Sequence, residues 1–219
     1  MEFDFLQNSA SGTDTDVYTF ATQNLGTAAA NRYILVSVAA RTLAGSALSS
    51  ITVAGETASL AVNHAPGNGS IAAIGVAAVP SGTTGDIVLT FNGTMRRAGY
   101  AAYRITGLSS VTPNSTDTGS SDPDTLTVTV PDPGFAVAIA SDATDGSATY
   151  TWSGLGVFED FDAVLEAANA NYSGAQSETA GSVGFEVSHN QASAIPATAA
   201  ASFALAADAA FTPQVAWFT

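Results

Sequence analysis

Five groups of residues have the types and spacing to do chemistry. The densest is the acidic run Glu159-Asp160-Phe161-Asp162. On a strand, carboxylates at i and i+2 share a face. Such a pair could offer oxygen ligands to Ca²⁺, or act as the two carboxyls of a glycosidase. The plainer reading is a solvated acidic segment. A second candidate, Asp142-Ala143-Thr144-Asp145-Gly146, looks like half of a calcium loop but lacks the Asp-x-Asp-x-Asp-Gly spacing. Asp142 and Asp145 therefore stand as weaker candidate cation ligands.

The imidazoles are His64, in a turn cluster, and His189, at a strand end. Neither has metal-ligand spacing, and with 0 Cys no thiolate supports them. Hydroxyls and carboxylates abound, so a Ser-His-Asp arrangement stays open, but no Gly-x-Ser-x-Gly elbow is present. All five basic residues are arginines, and Arg96, Arg97 and Arg104 fall within one predicted strand, Thr94 to Leu108. Period two would put Arg96, Tyr100 and Arg104 on one face, with Arg97 and Tyr103 on the other. Arginine beside tyrosine is a common interface composition. The alternative is that these arginines pair with carboxylates of the same domain. Trp152, on one face with Tyr150, and Trp217 could stack on sugar rings or simply pack. No catalytic residue, cofactor or metal is expected, and no enzymatic activity.

The composition constrains what could use these groups. The 219 residues carry a net charge of −14, with 46% hydrophobic and only 11% charged residues. Such a chain repels phosphate backbones and anionic bilayers, so neither nucleic acid nor membrane is an expected partner. Much of the apolar share is alanine, which loses no side-chain entropy on burial. Alanine-faced strands such as Gly134 to Ser141 would suit close contact with a neighbouring copy. Met1-Glu2-Phe3-Asp4-Phe5 lacks the basic and apolar regions of a signal peptide, and no run reaches the ~18 residues of a transmembrane helix. Synthesis in a cytoplasm without a visible signal is the expectation.

The elements that must position these groups are strands. Leu126, Val128 and Val130 alternate with threonines, and Ile87, Leu89, Phe91 and Val183, Phe185, Val187 repeat the pattern. Asn31 to Arg41 is apolar on both faces, which predicts a central strand covered on both sides. Ala54-Gly55-Glu56 and Asn92-Gly93 read as tight turns, and Pro131-Asp132-Pro133-Gly134 as a third. Ser109 to Asp124 reads as a long surface loop. Ala163 to Ala170 is the one stretch of helical composition, and Val215 to Phe218 reads as a last strand. Turn signals every ~8–12 residues, around roughly a dozen strands, predict an all-β fold. The expected form is one antiparallel β-sandwich of jelly-roll type over residues 1–219, with no clear repeat.

The segment Val79-Pro80-Ser81-Gly82-Thr83-Thr84-Gly85 leading into Asp86 to Phe91 resembles β-sandwich structural proteins of tailed bacteriophages. So do Ser50 to Ala58, Arg97-Ala98-Gly99-Tyr100 and Arg104-Ile105-Thr106-Gly107-Leu108, and the resemblance spans about residues 17–142. It implies a virion component without catalytic residues, such as a head decoration, head fibre or tail part. The expected function is an auxiliary head protein, a capsid decoration or spike. Its partners would be copies of itself, the major capsid protein or other virion proteins, with host surface glycans as a further class. The acidity favours the outer surface, away from packaged DNA. The alternative is a carbohydrate-binding module or a tail or fibre receptor-binding component.

Overall fold

A computed structural model describes residues 2–42, 45–67, 69–143, 149–166, 170–191 and 197–206. None of them is helical, and they form sixteen strands, more than the turn spacing predicts. The first eight are β1 (Glu2–Ser11), β2 (Thr15–Asn24), β3 (Arg32–Thr42), β4 (Leu48–Val53), β5 (Glu56–Thr57), β6 (Ser59–His64), β7 (Ser70–Ala78) and β8 (Thr84–Thr106). The rest are β9 (Ser115–Gly119), β10 (Asp124–Val130), β11 (Gly134–Asp142), β12 (Tyr150–Ser153), β13 (Phe158–Glu166), β14 (Ala170–Ser177), β15 (Gly181–His189) and β16 (Ala197–Ala204). All pairings are antiparallel.

The 23-residue β8 is the spine of the N-terminal sheet. Along one edge lie β2 and β1, end to end; along the other lie β4 and β3, also end to end. Asn92-Gly93 is therefore not a hairpin turn. The two halves of β8 find partners on other strands, so the dipeptide marks the place where β8 passes from one pair of flanking strands to the next. A side chain at Gly93 would meet the Ser46 hydroxyl at 2.7 Å. A register shift between Arg41 and Thr42 of β3, opposite Arg97 and Met95, moves the alternation by one. Ile87, Leu89, Phe91 and Met95 on one side of the shift, and Ala98, Tyr100 and Ala102 on the other, consequently face the same core. The Ala54-Gly55 turn does form: both residues have positive φ, 52° and 87°, which is the hairpin geometry that suits strand twist.

The C-terminal strands make two sheets, β13-β14-β11-β16-β9 and β10-β15-β12. Three cores separate the layers. The first lies inside the folded N-terminal sheet, around Ile34, Val36, Tyr100 and Phe20. The second joins β3, β7 and β8 to the five-stranded sheet, with Phe3 stacked on Phe135 at 4.1 Å and Phe161 against Tyr172. The third packs Leu126, Trp152 and Phe185 onto Ala136, Ala138, Ala140, Ala175 and Ala200. Every residue of β11 is buried, so its alanines are used between layers of this chain rather than on a free face. β3 is likewise covered on both sides, as its two apolar faces predict.

Three local expectations are corrected. Ala163 to Glu166 is strand, not helix, because Ala163 and Val164 pair with Tyr172 and Asn171 and Leu165 fills the second core. Tertiary pairing overrides alanine's helical propensity here. The stretch Ser109 to Asp124 contains β9, which pairs with β16. Pro131 to Gly134 does not turn a hairpin; it carries the chain from the three-stranded sheet to the five-stranded one.

Candidate functional site

The acidic run lies on β13, where a register shift between Glu159 and Phe161 makes Asp160 an extra residue. The bulge splits the carboxylates. Asp160 turns toward the second core and accepts a hydrogen bond from the Tyr103 hydroxyl at 2.8 Å. Glu159 and Asp162 turn the other way and accept the backbone N–H groups of Trp152 and Tyr150, the latter at 2.9 Å. β12 is an open edge of its sheet, and these two side chains take the place of a neighbouring strand. Burial raises the pKa of all three from the ordinary carboxylate value, and pushes that of Asp160 up to about 6. The arrangement does not converge on a substrate or an ion. Among the described residues no three His, Asp or Glu side chains are placed to hold a metal. Asp142 is fully buried at the end of β11, and Asp145 lies outside the described residues.

The opposite edge is treated the same way. Asp117 of β9 accepts the Thr127 N–H of β10 at 2.7 Å, and the Asn114 amide donates to the Thr129 carbonyl at 2.9 Å. Both open edges of the three-stranded sheet are thus sewn to the layer beneath by polar side chains. The sequence carries no simple signal for this, since it depends on which strands are edges.

His189 is buried beside Asp122. Its Nδ1 accepts the Gln191 N–H at 3.1 Å, so Nε2 carries the ring proton of the neutral form and lies 3.5 Å from Asp122 Oδ2. No ring nitrogen is left to act as a base toward a serine, which removes the Ser-His-Asp arrangement at His189. His64 ends β6, with Nε2 buried.

The arginine stripe does not form a continuous surface. Tyr100 is fully buried, and its ring packs against Phe20. Arg104 pairs with Glu2 and, at 3.1 Å, with Asp4, both on the adjacent β1; Arg97 pairs with Asp14 at 2.6 Å. Arg96 is exposed. The arginine that sequence reasoning missed is Arg32. It is 1% exposed and donates to the carbonyls of Val79, Leu25, Gly26, Ser81 and Gly82 at 2.7–3.1 Å. Trp152 is buried too, its indole N–H on Ser173 Oγ at 2.8 Å. It offers no exposed ring to a sugar, and Trp217 lies outside the described residues.

What remains is the outer face of β10-β15-β12. Alternation sends Leu126, Val128, Tyr150, Trp152, Val183 and Phe185 inward. It leaves Thr125, Thr127 and Thr129 on β10, Ser182, Glu186 and Ser188 on β15, and Thr151 and Ser153 on β12 facing out. Cross-strand register aligns Thr125, Glu186 and Ser153 in one row, with Thr151 and Ser188 in the next. Here the surface dips into a recess of about 300 Å³, lined by Pro123, Thr125, Thr151, Ser153, Glu186 and Ser188 among others. Ser153 Oγ donates to Glu186 Oε2 at 3.1 Å. The alternating threonines of β10 were legible in the sequence; their alignment with β12 across β15 was not.

No protein-family model matches the chain, and no curated protein matches it either.

Proposed function

We propose that the protein is a non-enzymatic structural component of a bacteriophage particle, an auxiliary head protein of the jelly-roll class on the outer capsid. The observation that carries this reading is the use of its polar groups. Glu159, Asp162, Asp117 and Arg32 each satisfy backbone of the chain itself, and Asp160 is turned away from its two neighbours. A body of four stacked sheet layers with its reactive groups spent on its own edges suits a part that must be stiff and inert. The resemblance of Val79 to Phe91 and its flanking segments to tailed-phage β proteins supplies the setting. The net charge of −14 favours the outer surface over the DNA-facing one. Its partners would then be further copies and capsid proteins, with the exposed Arg96 available to a carboxylate across an interface.

Mass spectrometry of purified particles tests the proposal. Stoichiometric presence with capsid protein is the expected result, and loss of that association in Arg96→Glu would place Arg96 in the contact. Absence from particles, together with a monomer by light scattering at high concentration, would overturn it.

A further inference from the structure

The geometry points to the recess between Pro123, Thr151 and Glu186 as a binding site for one or two rings of an uncharged or amino sugar. Its volume of about 300 Å³ lies at the small end of ligand sites, which run from roughly 300 to 1,000 Å³. Its chemistry selects the ligand. Thr125, Thr151, Ser153 and Ser188 each carry a hydroxyl that both donates and accepts, whereas the Glu186 carboxylate only accepts. A ligand that matches must therefore present several hydroxyls, which play both roles in turn. Ser153 already donates to Glu186 Oε2, which fixes one carboxylate oxygen and leaves the other to a donor from the ligand. The exposed Pro123 ring at the rim offers an apolar contact to the C–H face of a pyranose.

Charge excludes the acidic glycans. Residues 109–219 contain 13 carboxylates and no lysine or arginine, and among the described residues no cationic side chain lines the recess to compensate a sialate, sulfate or phosphate. An ammonium group would be attracted by the same field. The other polar groups lining the recess do not change this balance. Asp124 is drawn away from it, its carboxylate accepting from Thr198 and from the Thr125 N–H at 3.0 Å.

Among the described residues no aromatic ring lines the recess, so the affinity of a single site should be low, with Kd on the order of 1 mM for a ligand held by a few hydrogen bonds. Many copies on one surface would raise the effective avidity by about 10²–10⁴. The inference does not rest on the particle reading, since an isolated binding module would use the recess in the same way.

The experiment is a glycan array probed with the protein displayed at many copies on a bead, followed by NMR titration of the full chain with the array's best oligosaccharide. Binding to neutral or amino sugars is expected, with none to sialylated or sulfated ones. Glu186→Ala should weaken binding at least tenfold, and Ser188→Tyr, which fills the recess, should abolish it. Thr127→Ala, on the same face outside the recess, should leave it unchanged. All three side chains are solvent-facing, and an unaltered circular dichroism spectrum would show that the variants fold. An array that captures no neutral or amino sugar would overturn the inference, as would binding that survives both recess variants. Either failure leaves the particle assignment to be decided separately by mass spectrometry.

Discussion

The two halves of the chain use most of their hydrogen-bonded carboxylates differently. Residues 1–108 hold all five arginines against six carboxylates; residues 109–219 hold 13 carboxylates and no basic residue. In the first half, Glu2, Asp4 and Asp14 meet guanidinium groups, and the hydrogen bond from Arg104 holds Glu2 below the usual carboxylate range. In the second half, Asp117, Glu159 and Asp162 meet backbone N–H groups of exposed strand edges. A carboxylate only accepts, and an edge strand presents donors it cannot otherwise use. Acidity in the second half is thus partly structural. It satisfies both open edges of a small sheet, and it leaves a field that is not neutralised within the half.

The largest break in this comparison should come from Arg32, the one buried arginine among the described residues. Arg32→Leu removes donors from five carbonyls at once, which gather the Leu25–Gly26 and Val79–Gly82 segments. A loss of about 3–5 kcal/mol is expected in urea unfolding, since several buried acceptors lose charged donors together. Arg32→Lys should recover little of it, because an ammonium cannot reach five acceptors with a planar fork. A variant as stable as the wild type would show that water replaces the guanidinium.

The edge carboxylates come next. Asp162→Ala leaves the half-buried Tyr150 N–H without a partner, at about 1–2 kcal/mol, whereas Asp117→Ala frees the exposed Thr127 N–H, which water can take over, at about 0.5–1 kcal/mol. They lie on opposite edges of the three-stranded sheet, so their effects should add. Hydrogen exchange should show the loss at Thr127 and Tyr150, with little change in β3 or β7. Equal loosening across both halves would mean that the carboxylates act through net charge and not through these bonds.

Much of the scaffold was legible in residue order. Alternation placed the strands, and the two apolar faces of Asn31 to Arg41 placed a covered central strand. Asn92-Gly93 misled because a turn dipeptide reports local backbone preference, whereas β8 is held straight by four flanking strands from elsewhere in the chain. The acidic run misled for a related reason. Period-two counting put Asp160 and Asp162 on one face, and a single bulged residue put them on opposite faces. Bulges and edges are set by partners far away in sequence, so neither the split of the carboxylates nor the recess at Glu186 could be read from spacing.

Asp160 offers a pH test that separates it from its neighbours. Its pKa is raised from 3.8 to about 6, burial being the main cause and the nearby Glu159 a lesser one. A raised pKa in the folded state means that the protonated form favours folding. The associated stability is fully present below about pH 4 and is lost as pH rises through about 6. Asp160→Asn keeps an acceptor for the Tyr103 hydroxyl and removes the charge. It should stabilise the protein by about 1–2 kcal/mol at pH 7.5, after allowance for the partial solvent screening of the site, and change nothing at pH 3.5. Thermal melts across that range would show the difference. Destabilisation by Asn at pH 7.5 would mean that the ionised carboxylate is needed by the fold.

The smallest effect should belong to Arg104, and that smallness is informative. Arg104 and Arg32 are the same residue type in the same half, and both reach carbonyls: Arg104 Nε donates to Thr27 O at 3.1 Å. They differ in surroundings. The side chain of Arg104 has carboxylate partners that are more than half exposed, where water competes for every bond. Its stem lies over Gly26, where an added Cβ would come within 2.7 Å of Arg104 Cδ, so packing accounts for part of what the residue contributes. Arg104→Met preserves that packing and should change stability by less than about 0.5 kcal/mol. Arg104→Ala should cost more than Met does, through the lost stem and not the lost charge. If Met and Ala are equally damaging, the ion pairs with β1 hold that edge strand, and the paired carboxylates of the first half are as structural as the ones of the second half that hold backbone N–H groups.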